Sequence, residues 1–385
     1  MKNLRRLLAC LIVVTMMCGL LAGCGSGGSG EEPKEEAVQE EQSKADDTSD
    51  EGSNEINDEV MELIGKKGEG VKVGIAVSDL ASTYIVAAAE YAQKLLEASG
   101  AKVTLVNAEQ NANTQASQID DFISAGCNVI LLHAADSDAL ASSVDKATEA
   151  GVKVVGFNKE ISTDNLTFAV VSSDNVATGA SAAQWLADKA KEEKVEKPKI
   201  AVIQGTMTQS DAYLRQDGID EVAEKEGLVL LEEPCEWSSD KSESAMSDVL
   251  TANPDLFGVI THSDCMDQGV ISALRQNSLD GKAGSDNHIY WSGIDGDATG
   301  LESLDSGLMD VAVEQNPLAL STVIVKGVLD HLLKDADLGG QVIAIETNVI
   351  SIDDTSSEER WASYDTDSDI FWAGTADAWD HYLND

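Results

Sequence analysis

Basic residues are scarce in this sequence of 385 residues. It contains 26 Lys and Arg against 69 Asp and Glu, so its formal net charge is −43. A chain this acidic repels phosphate backbones, which excludes nucleic acid as a partner. Aromatic residues are also few, at 4%, whereas the apolar share of 43% is ordinary for a globular protein. That apolar share excludes disorder, collagen and coiled coil for the bulk of the chain.

The apolar run at the N-terminus, residues 7–21, is short for a membrane span of about 20 residues. It follows a basic segment and ends in Leu21-Ala22-Gly23-Cys24, which is the layout of a secretory signal. The small residues before Cys24 resemble a bacterial lipobox. This resemblance implies a lipoprotein signal peptide at 1–23, lipid attachment to the Cys24 thiol and an anchor on the outer side of the cell membrane. The alternative is an ordinary signal peptide with an unrelated cysteine.

Residues 24–69 are predicted to be the lipidated cysteine followed by an acidic, disordered tether. Gly and Ser fill 25–30, and an acidic, Ser-rich stretch continues to about residue 58. Such a composition cannot bury enough apolar surface to fold. We therefore expect a solvated linker between the bilayer and the folded part.

Cysteine is too sparse for a disulfide framework. Two of the six cysteines leave with the signal and Cys24 would carry the lipid. The remaining Cys127, Cys235 and Cys265 do not have the spacing of a metal site, and because three is odd, at least one stays free.

Motifs of common catalytic sites are missing as well. The sequence contains neither G-x-S-x-G nor H-E-x-x-H, and the GKKGEG stretch at 65–70 lacks the spacing of a phosphate loop. Paired carboxylates are plentiful, but the excess of acids makes such pairs uninformative. We therefore expect a protein that is not an enzyme and that needs no cofactor or metal.

From residue 71 on, short runs of Val and Ile alternate with longer amphipathic runs. The predicted strands are 71–77, 103–106, 128–132, 152–157, 199–203, 229–231, 256–260, 288–293, 309–313 and 342–345. The predicted helices are 84–98, 115–125, 138–150, 177–193, 212–225, 242–252, 267–276, 301–307 and 318–333. Near-continuously apolar strands belong to parallel sheets covered on both faces. Because 129–136 is echoed at 258–264, the pattern predicts two doubly wound α/β domains of one plan.

Polar residues follow the predicted strands at the points where the strands end. Ligands of open parallel sheets bind beyond the carboxyl ends of the strands. The residues in such positions are Ser78, Asp79, His133, Asn158, Lys159, His262, Ser263, Asp264 and Asp295. Their donors, acceptors and charges of both signs suit a small, uncharged, polyhydroxylated ligand. For any one of them, the alternative is that it only caps a helix or turn.

Five stretches of the sequence carry a more specific resemblance. They are Ala76-Val-Ser-Asp-Leu, Ala134-Ala-Asp-Ser-Asp-Ala-Leu, Ser173-Asp-Asn-Val-Ala-Thr-Gly, Gly293-Ile-Asp-Gly and Val313-Glu-Gln-Asn-Pro317. In this order they resemble the type I periplasmic sugar-binding proteins of the ribose-binding group, from about residue 71 to 350. The resemblance implies two lobes, 70–173 plus 316–347 and 174–315 plus 348–385. It also implies three crossings between them, near Ser173, Gln315 and Asn348.

The resemblance also implies a set of ligand contacts between the lobes. Together with the strand-end Asp79, they are Ser78, Ser82, Tyr84, Ile85, Asn158, Lys159, Tyr213, Arg215, Trp237, Ser263, Asp264, Asp295 and Gln315. Ribose binders have Asp-Arg at Asn158 and Lys159, arginine at Tyr213 and asparagine at Ser263, so the ligand stays open among a pentose, a hexose, inositol and a furanosyl signalling molecule. Trp237 would stack its flat ring on the CH face of a sugar. The alternative is that it only packs in the interface between the lobes.

Such a family implies a solute-binding subunit that delivers a sugar or polyol to the permease and ATPase of an ABC importer. A sensory receptor of the same fold, which presents its ligand to a membrane kinase or chemoreceptor, is the alternative. We expect a monomer. The last 35 residues extend past the family core and are expected to pack on the second lobe.

Overall fold

The structure is a computed structural model that describes residues 56, 58–171, 173–336, 338–352, 361 and 369–383. The predicted signal peptide at 1–23, the lipidation site Cys24 and the tether through residue 55 lie outside the described residues. Among the residues that are described, no helix has the length and apolar character needed to cross a bilayer.

The helices and strands alternate along the chain, as expected for doubly wound sheets. The elements up to residue 171 are α1 (Asp58–Ile64), β1 (Lys72–Val77), α2 (Thr83–Ala98), β2 (Lys102–Asn107), α3 (Ala112–Ser124), β3 (Val129–Leu132), α4 (Ala141–Glu149), β4 (Lys153–Phe157) and β5 (Phe168–Val171). Those up to residue 314 are α5 (Asn175–Glu192), β6 (Lys199–Gln204), α6 (Ser210–Glu226), β7 (Val229–Pro234), α7 (Ser239–Ala252), β8 (Leu256–Thr261), α8 (Asp267–Gln276), β9 (Tyr290–Asp295), α9 (Ala298–Ser306) and β10 (Val311–Glu314). The last are α10 (Pro317–Lys326), β11 (Val342–Ala344), β12 (Asn348–Ser351) and α11 (Asp369–His381).

The strands form two six-stranded sheets of the same plan. One has the order β11-β5-β4-β3-β1-β2 and the other β12-β10-β9-β8-β6-β7. Pairing is parallel throughout except between β10 and β12. We call the first sheet with α1–α4, α10 and α11 the first lobe, and the second sheet with α5–α9 the second lobe. The prediction of two doubly wound, parallel-sheet α/β domains is confirmed.

Each sheet is covered by apolar side chains on both faces. In β1, Val73, Ile75 and Val77 pack with α2 and α10, whereas Ala76 faces α3 and α4. A strand places successive side chains on opposite faces, so an uninterrupted apolar run fits a sheet that is buried on both sides. Gly74 faces α3 as well, and a Cβ there would lie 2.4 Å from the Phe122 ring.

The chain passes between the lobes three times. It crosses from β5 to α5, returns from β10 to α10, and crosses again between β11 and β12. The carboxyl ends of the parallel strands of both sheets border the gap between the lobes, which places the segments that follow those strands opposite each other.

Two expectations about the ends of the folded part are wrong. Residues 58–64, expected in the tether, form α1, and its Val60 and Ile64 are fully buried in the core of the first lobe. Residues 361 and 369–383, expected on the second lobe, lie instead against the first: Trp361 and Trp379 belong to the same apolar core as α2 and α10. In each segment, buried apolar residues pack into the core of the first lobe, and composition does not reveal where such residues pack.

Three further elements differ from the predicted pattern: β5 and β12 were not predicted as strands, and α10 is shorter than predicted. The strand β5, with the sequence FAVV, follows a polar loop and is too short for its apolar run to stand out. The helix expected at 318–333 ends as α10 at Lys326 and continues as a π turn at Gly327–His331 and a 3-10 turn at Leu332–Lys334. A Cβ at Gly327 would lie 2.4 Å from the Phe168 ring, so the glycine permits close packing on the sheet.

Candidate functional site

A cavity lies between the lobes at the carboxyl ends of the strands, and its empty space, including the part open to solvent, is about 420 Å³. Its lining comes from both lobes: Asp79, Ser82, Tyr84, Ile85, His133, Asn158, Lys159, Asp211, Arg215, Trp237, Ser263, Cys265 and Asp295.

Most of the predicted contact residues line this cavity, and four do not. Ser78, Tyr213, Asp264 and Gln315 are absent from the lining. Ser78 and Gln315 support residues that line it, whereas Asp264 bonds to Asp297, which does not. Ser78 Oγ donates to Asp79 Oδ2 at 2.9 Å, Asp264 Oδ2 accepts the backbone N–H of Asp297 at 2.9 Å, and Gln315 Oε1 accepts from Arg215 Nη2 at 3.0 Å.

Tyr213 is excluded from the cavity by the geometry of α6. Asp211 and Arg215 are four residues apart and therefore share one face of the helix, and both line the cavity. Tyr213 lies roughly 200° around the helix from Asp211, since each residue turns the helix by about 100°. Asp211 is thus a lining residue that the sequence analysis missed, and its spacing from Arg215 is the signal that could have found it.

Two further lining residues, His133 and Cys265, lie outside the predicted contact set. His133 ends β3 as His262 ends β8, and their Nδ1 atoms accept from the backbone N–H of Ser78 and Gly205, each at 3.4 Å. Burial holds the pKa of His133 well below its ordinary value, and Lys159 acts in the same direction. Burial, with Arg215, lowers the pKa of His262 to about 3. Both rings are therefore neutral.

The cations of the site are each fixed by protein partners. Lys159 is 1% exposed; its Nζ donates to Gln209 Oε1 and lies 3.6 Å from Asp211 Oδ1. Burial lowers the pKa of Lys159, and the carboxylates of Asp211 and Asp79 oppose that effect.

Arg215 is held by three groups. Its Nε donates to Asn175 Oδ1 at 3.0 Å, its Nη1 to the His262 carbonyl, and its Nη2 to Gln315 Oε1. A planar guanidinium fixed in this way presents its remaining N–H groups to the cavity in one orientation.

Asp295 is the buried carboxyl group of the second lobe. It is 4% exposed, and its Oδ2 accepts from Ser263 Oγ at 2.5 Å. Burial raises the pKa of Asp295 to about 7, against the opposing effects of Arg215 and the Ser263 hydrogen bond. Its backbone φ is +119°, which is rare for a residue with a side chain. Strained conformations of this kind are concentrated at functional sites.

Trp237 forms one apolar wall of the cavity. Its indole N–H donates to Gln209 Oε1 at 2.6 Å, so Gln209 joins Trp237 to Lys159. A Cβ at Gly205 would lie 2.1 Å from the indole ring, which means that only glycine leaves room for the ring in this position.

The lobes are in contact around the cavity. On one side, the Ser137 N–H donates to the Thr208 carbonyl at 3.0 Å, and the Glu160 N–H donates to Ser210 Oγ at 2.9 Å. On another, Thr83 Oγ1 donates to Asp297 Oδ2 at 2.7 Å. These bonds join residues of different lobes, so the structure represents the closed arrangement of the two.

The lining combines one indole face with fixed donors and acceptors. The lining contains two cations, Lys159 and Arg215, and three carboxyl groups, Asp79, Asp211 and Asp295. Lys159 lies close to Asp211, and Arg215 interacts electrostatically with Asp295. Within the described ranges, no group of three or more His, Cys, Asp or Glu side chains is arranged to hold a metal ion. The arrangement can orient a small molecule rich in hydroxyl groups, because such a molecule both donates and accepts.

Comparisons with known proteins agree with this geometry. A family model described as "Periplasmic binding protein domain" matches residues 73–336. The ribose import binding protein RbsB of Bacillus subtilis is 26% identical over 260 residues, which cover 68% of this chain and 81% of that protein. The xylitol-binding protein of Mycolicibacterium smegmatis is 28% identical over 271 residues, covering 69% and 73% respectively.

Solved structures share the fold. The periplasmic binding protein component of the arabinose ABC transporter from Shewanella sp. ANA-3, bound to α- and β-L-arabinofuranose, superposes with a TM-score of 0.68 at 20% identity. The match covers 82% of this chain and all of that one.

Proposed function

Because the chain belongs to the periplasmic binding protein domain family, matched over residues 73–336, we propose that it captures a monosaccharide or small polyol between its lobes. The observation that carries this proposal is the lining of the cavity: the Trp237 side chain and buried charged groups supplied by both lobes line the same space. An indole face covers the CH groups of a sugar ring, while carboxylates and cations bind its hydroxyl groups. The relatives described above are named for ribose, xylitol and arabinose.

The balance of charge in the cavity favours an uncharged ligand. Lys159 is already close to Asp211, and Arg215 acts electrostatically on Asp295. A charged ligand would disturb these pairs and leave one member buried without a partner, which is costly. A neutral polyol leaves the pairs in place and adds hydrogen bonds to them.

Thermal unfolding of the purified protein against a panel tests the capture of sugars. The panel consists of D-ribose, L-arabinose, D-allose, xylitol and myo-inositol, with nucleosides for comparison. A ligand at a hundred times its dissociation constant adds about 2.7 kcal/mol to the free energy of unfolding, which raises the melting temperature measurably. We expect at least one panel member to do so.

Two variants and a control decide whether the cavity is responsible. Trp237→Ala and Asp295→Ala should abolish the ligand-induced rise. Trp185→Phe should keep it, because Trp185 packs against Tyr290 away from the cavity lining. A rise that persists in both cavity variants would contradict the proposed site.

We further propose that the protein acts outside the cytoplasm as a monomeric lipoprotein and delivers its ligand, chemically unchanged, to an ABC permease. The small residues before Cys24 support lipid attachment there. Cells grown with a radiolabelled fatty acid should label the wild-type protein but not Cys24→Ser. Sugar recovered after prolonged incubation with the protein should be intact; conversion to product would contradict a binding role.

A further inference from the structure

Trp361 lies beyond the residues matched by the family model, which end at 336. It is 8% exposed and belongs to the apolar core of the first lobe, together with Leu320 of α10. In sequence it follows β12, a strand of the second sheet, and precedes α11, which packs on the first lobe. The segment after the family core therefore brings one large side chain to the boundary between the lobes.

Two residues of the cavity wall contact this indole. Its ring meets the Tyr84 ring edge-on, with centroids 5.9 Å apart and planes at 87°. Its Nε1 donates to the backbone carbonyl of Asp295 at 3.1 Å. Tyr84 belongs to α2 of the first lobe and Asp295 to β9 of the second, so one side chain outside the cavity touches both of its walls.

The contact with Asp295 falls on a strained part of the backbone. Asp295 has a φ of +119°, which a residue with a side chain rarely adopts and which persists only where surrounding contacts enforce it. Its carbonyl accepts two hydrogen bonds, from the Gln315 N–H at 3.0 Å and from Trp361 Nε1. The direction of that carbonyl fixes the peptide plane and with it the position from which the Asp295 carboxyl group enters the cavity.

We propose that Trp361 is a positioning residue of the ligand site: it holds the Asp295 backbone and the Tyr84 ring in the arrangement that lines the closed cavity. The expected effect of Trp361 on ligand affinity rests on the proposed function, whereas its effect on the Asp295 backbone does not. A C-terminal segment that packs on the first lobe thus also contributes to the shape of the site.

Trp361→Phe tests the proposal, because phenylalanine keeps an aromatic ring against Tyr84 and lacks the indole N–H; the accompanying loss of ring volume is matched in the control. Trp379→Phe is the matched control: Trp379 is a buried tryptophan of the same C-terminal segment, and it is absent from the cavity lining. Both variants would be made in the full chain and compared by hydrogen exchange and mass spectrometry in the absence of ligand.

We expect Trp361→Phe to speed amide exchange at residues 293–297 and at Gln315 about two- to tenfold, the range expected for loss of one hydrogen bond. Trp379→Phe should leave these amides unchanged while it alters exchange in α11. Unchanged exchange at 293–297 in Trp361→Phe would overturn the proposal. So would an equal increase in both variants, because that would reflect general loosening of the C-terminal segment.

Affinity for a panel sugar that stabilises the wild type supplies the second readout. Trp361→Phe should weaken it about two- to tenfold, and Trp379→Phe by less than twofold. If no panel sugar stabilises the wild type, the proposed capture of simple sugars fails, and the exchange measurement still decides the role of Trp361. Unchanged affinity in Trp361→Phe would overturn the proposal while leaving sugar capture intact.

Discussion

Asp295 is buried, has an unusual backbone φ angle and carries a carboxyl group with a raised pKa. Burial raises its pKa to about 7, and Arg215 opposes the shift only in part. Asp211 and Asp297 add to the raised pKa. The group is therefore partly protonated at neutral pH, and a ligand that donates a hydroxyl to it would favour the ionised form.

The raised pKa of Asp295 makes the ligand-free protein less stable as the pH rises. An unfolded Asp titrates near 3.9, so between about pH 4 and pH 7 the native state binds the extra proton and loses stability with increasing pH. Asp295→Asn removes this contribution. Urea unfolding at pH 5 and pH 8 should show a smaller loss of stability toward pH 8 in the variant than in the wild type.

Two neighbouring groups contribute in the same direction. Burial raises the pKa of Asp264 and of Asp267, and the charge of Asp295 raises both further. Asp295→Asn therefore also relieves these two groups, which again reduces the loss of stability toward pH 8. An identical pH dependence in the wild type and the variant would show that Asp295 titrates as it does when unfolded.

Gly205 should tolerate no side chain while Trp237 is present. A Cβ there would lie 2.1 Å from the indole, so Gly205→Ala must displace the ring from the cavity wall. Overpacking of this kind costs about 1–3 kcal/mol, and displacement of the ring should also weaken ligand binding. In a Trp237→Leu background the same substitution should be nearly neutral; an equal cost in both backgrounds would place the clash elsewhere.

The residues that line the cavity could be predicted from position alone where they follow a strand, whereas on helices only the resemblance assigned them, and it gave Arg215 but not Asp211. Asn158, Lys159 and Ser263 end apolar runs, and the position alone assigns them to the cleft. Tyr213 was assigned to it and Asp211 was not, although the two differ only in rotation about α6. Which of the two side chains faces the cavity depends on how α6 packs, and a position-by-position comparison of sequences does not show this packing.

At the scale of elements, the close approach of α5 and α6 positions Arg215. A Cβ at Gly179 of α5 would lie 1.9 Å from the Arg215 carbonyl, and a Cβ at Gly218 of α6 would lie 2.0 Å from the Val176 carbonyl. The two backbones touch because neither position has a side chain. Asn175 of α5 can then accept from the Arg215 guanidinium at 3.0 Å.

Gly218→Ala should therefore separate the helices and move Arg215. We expect a loss of about 1–3 kcal/mol in the free energy of unfolding, measured in urea, and weaker ligand binding. Glu224→Ala, on the exposed side of the same helix, should stay within about 0.5 kcal/mol of the wild type. Equal effects of the two substitutions would contradict the role of the glycine contact.

Most elements with a clear apolar pattern were predicted to within a few residues, and some short elements were missed. The helix at 267–276 was predicted with the bounds it has, since its apolar residues recur at helical spacing. α1 and β5 were missed because each is short and bordered by polar residues. α11 lies beyond the repeated pattern, so nothing in the sequence assigned it to the first lobe.

At the scale of the whole molecule, hydrogen bonds between the lobes define the closed state. The Thr83–Asp297 bond joins α2 of the first lobe to the start of α9, where Asp297 also caps the helix through the Thr299 N–H at 2.7 Å. It lies on a different side of the cavity from the contacts of Ser137 and Ser210. Neither set of contacts could be predicted from the sequence, because the pattern of strands and helices determines the fold of each lobe but not the angle between the two lobes.

Thr83→Val should weaken ligand binding without unfolding either lobe. The substitution keeps the shape of the side chain and removes the donor to Asp297, so the closed state loses one hydrogen bond, which corresponds to about a two- to tenfold loss of affinity. Thr104→Val, on the exposed strand β2, is the control and should bind as the wild type does. Equal affinity of all three proteins would show that the bond does not contribute to closure.

The proposed function requires that the two lobes hold one small sugar or polyol in the cavity lined by Trp237 and Asp295. Calorimetric titration of the protein with the panel sugars is the decisive measurement, because it reports the number of sites and the affinity together. We expect saturable heat at one sugar per chain for at least one panel member, lost in Trp237→Ala and in Asp295→Ala. Saturable binding that both variants retain, or the absence of saturable heat with every sugar and polyol, would contradict it.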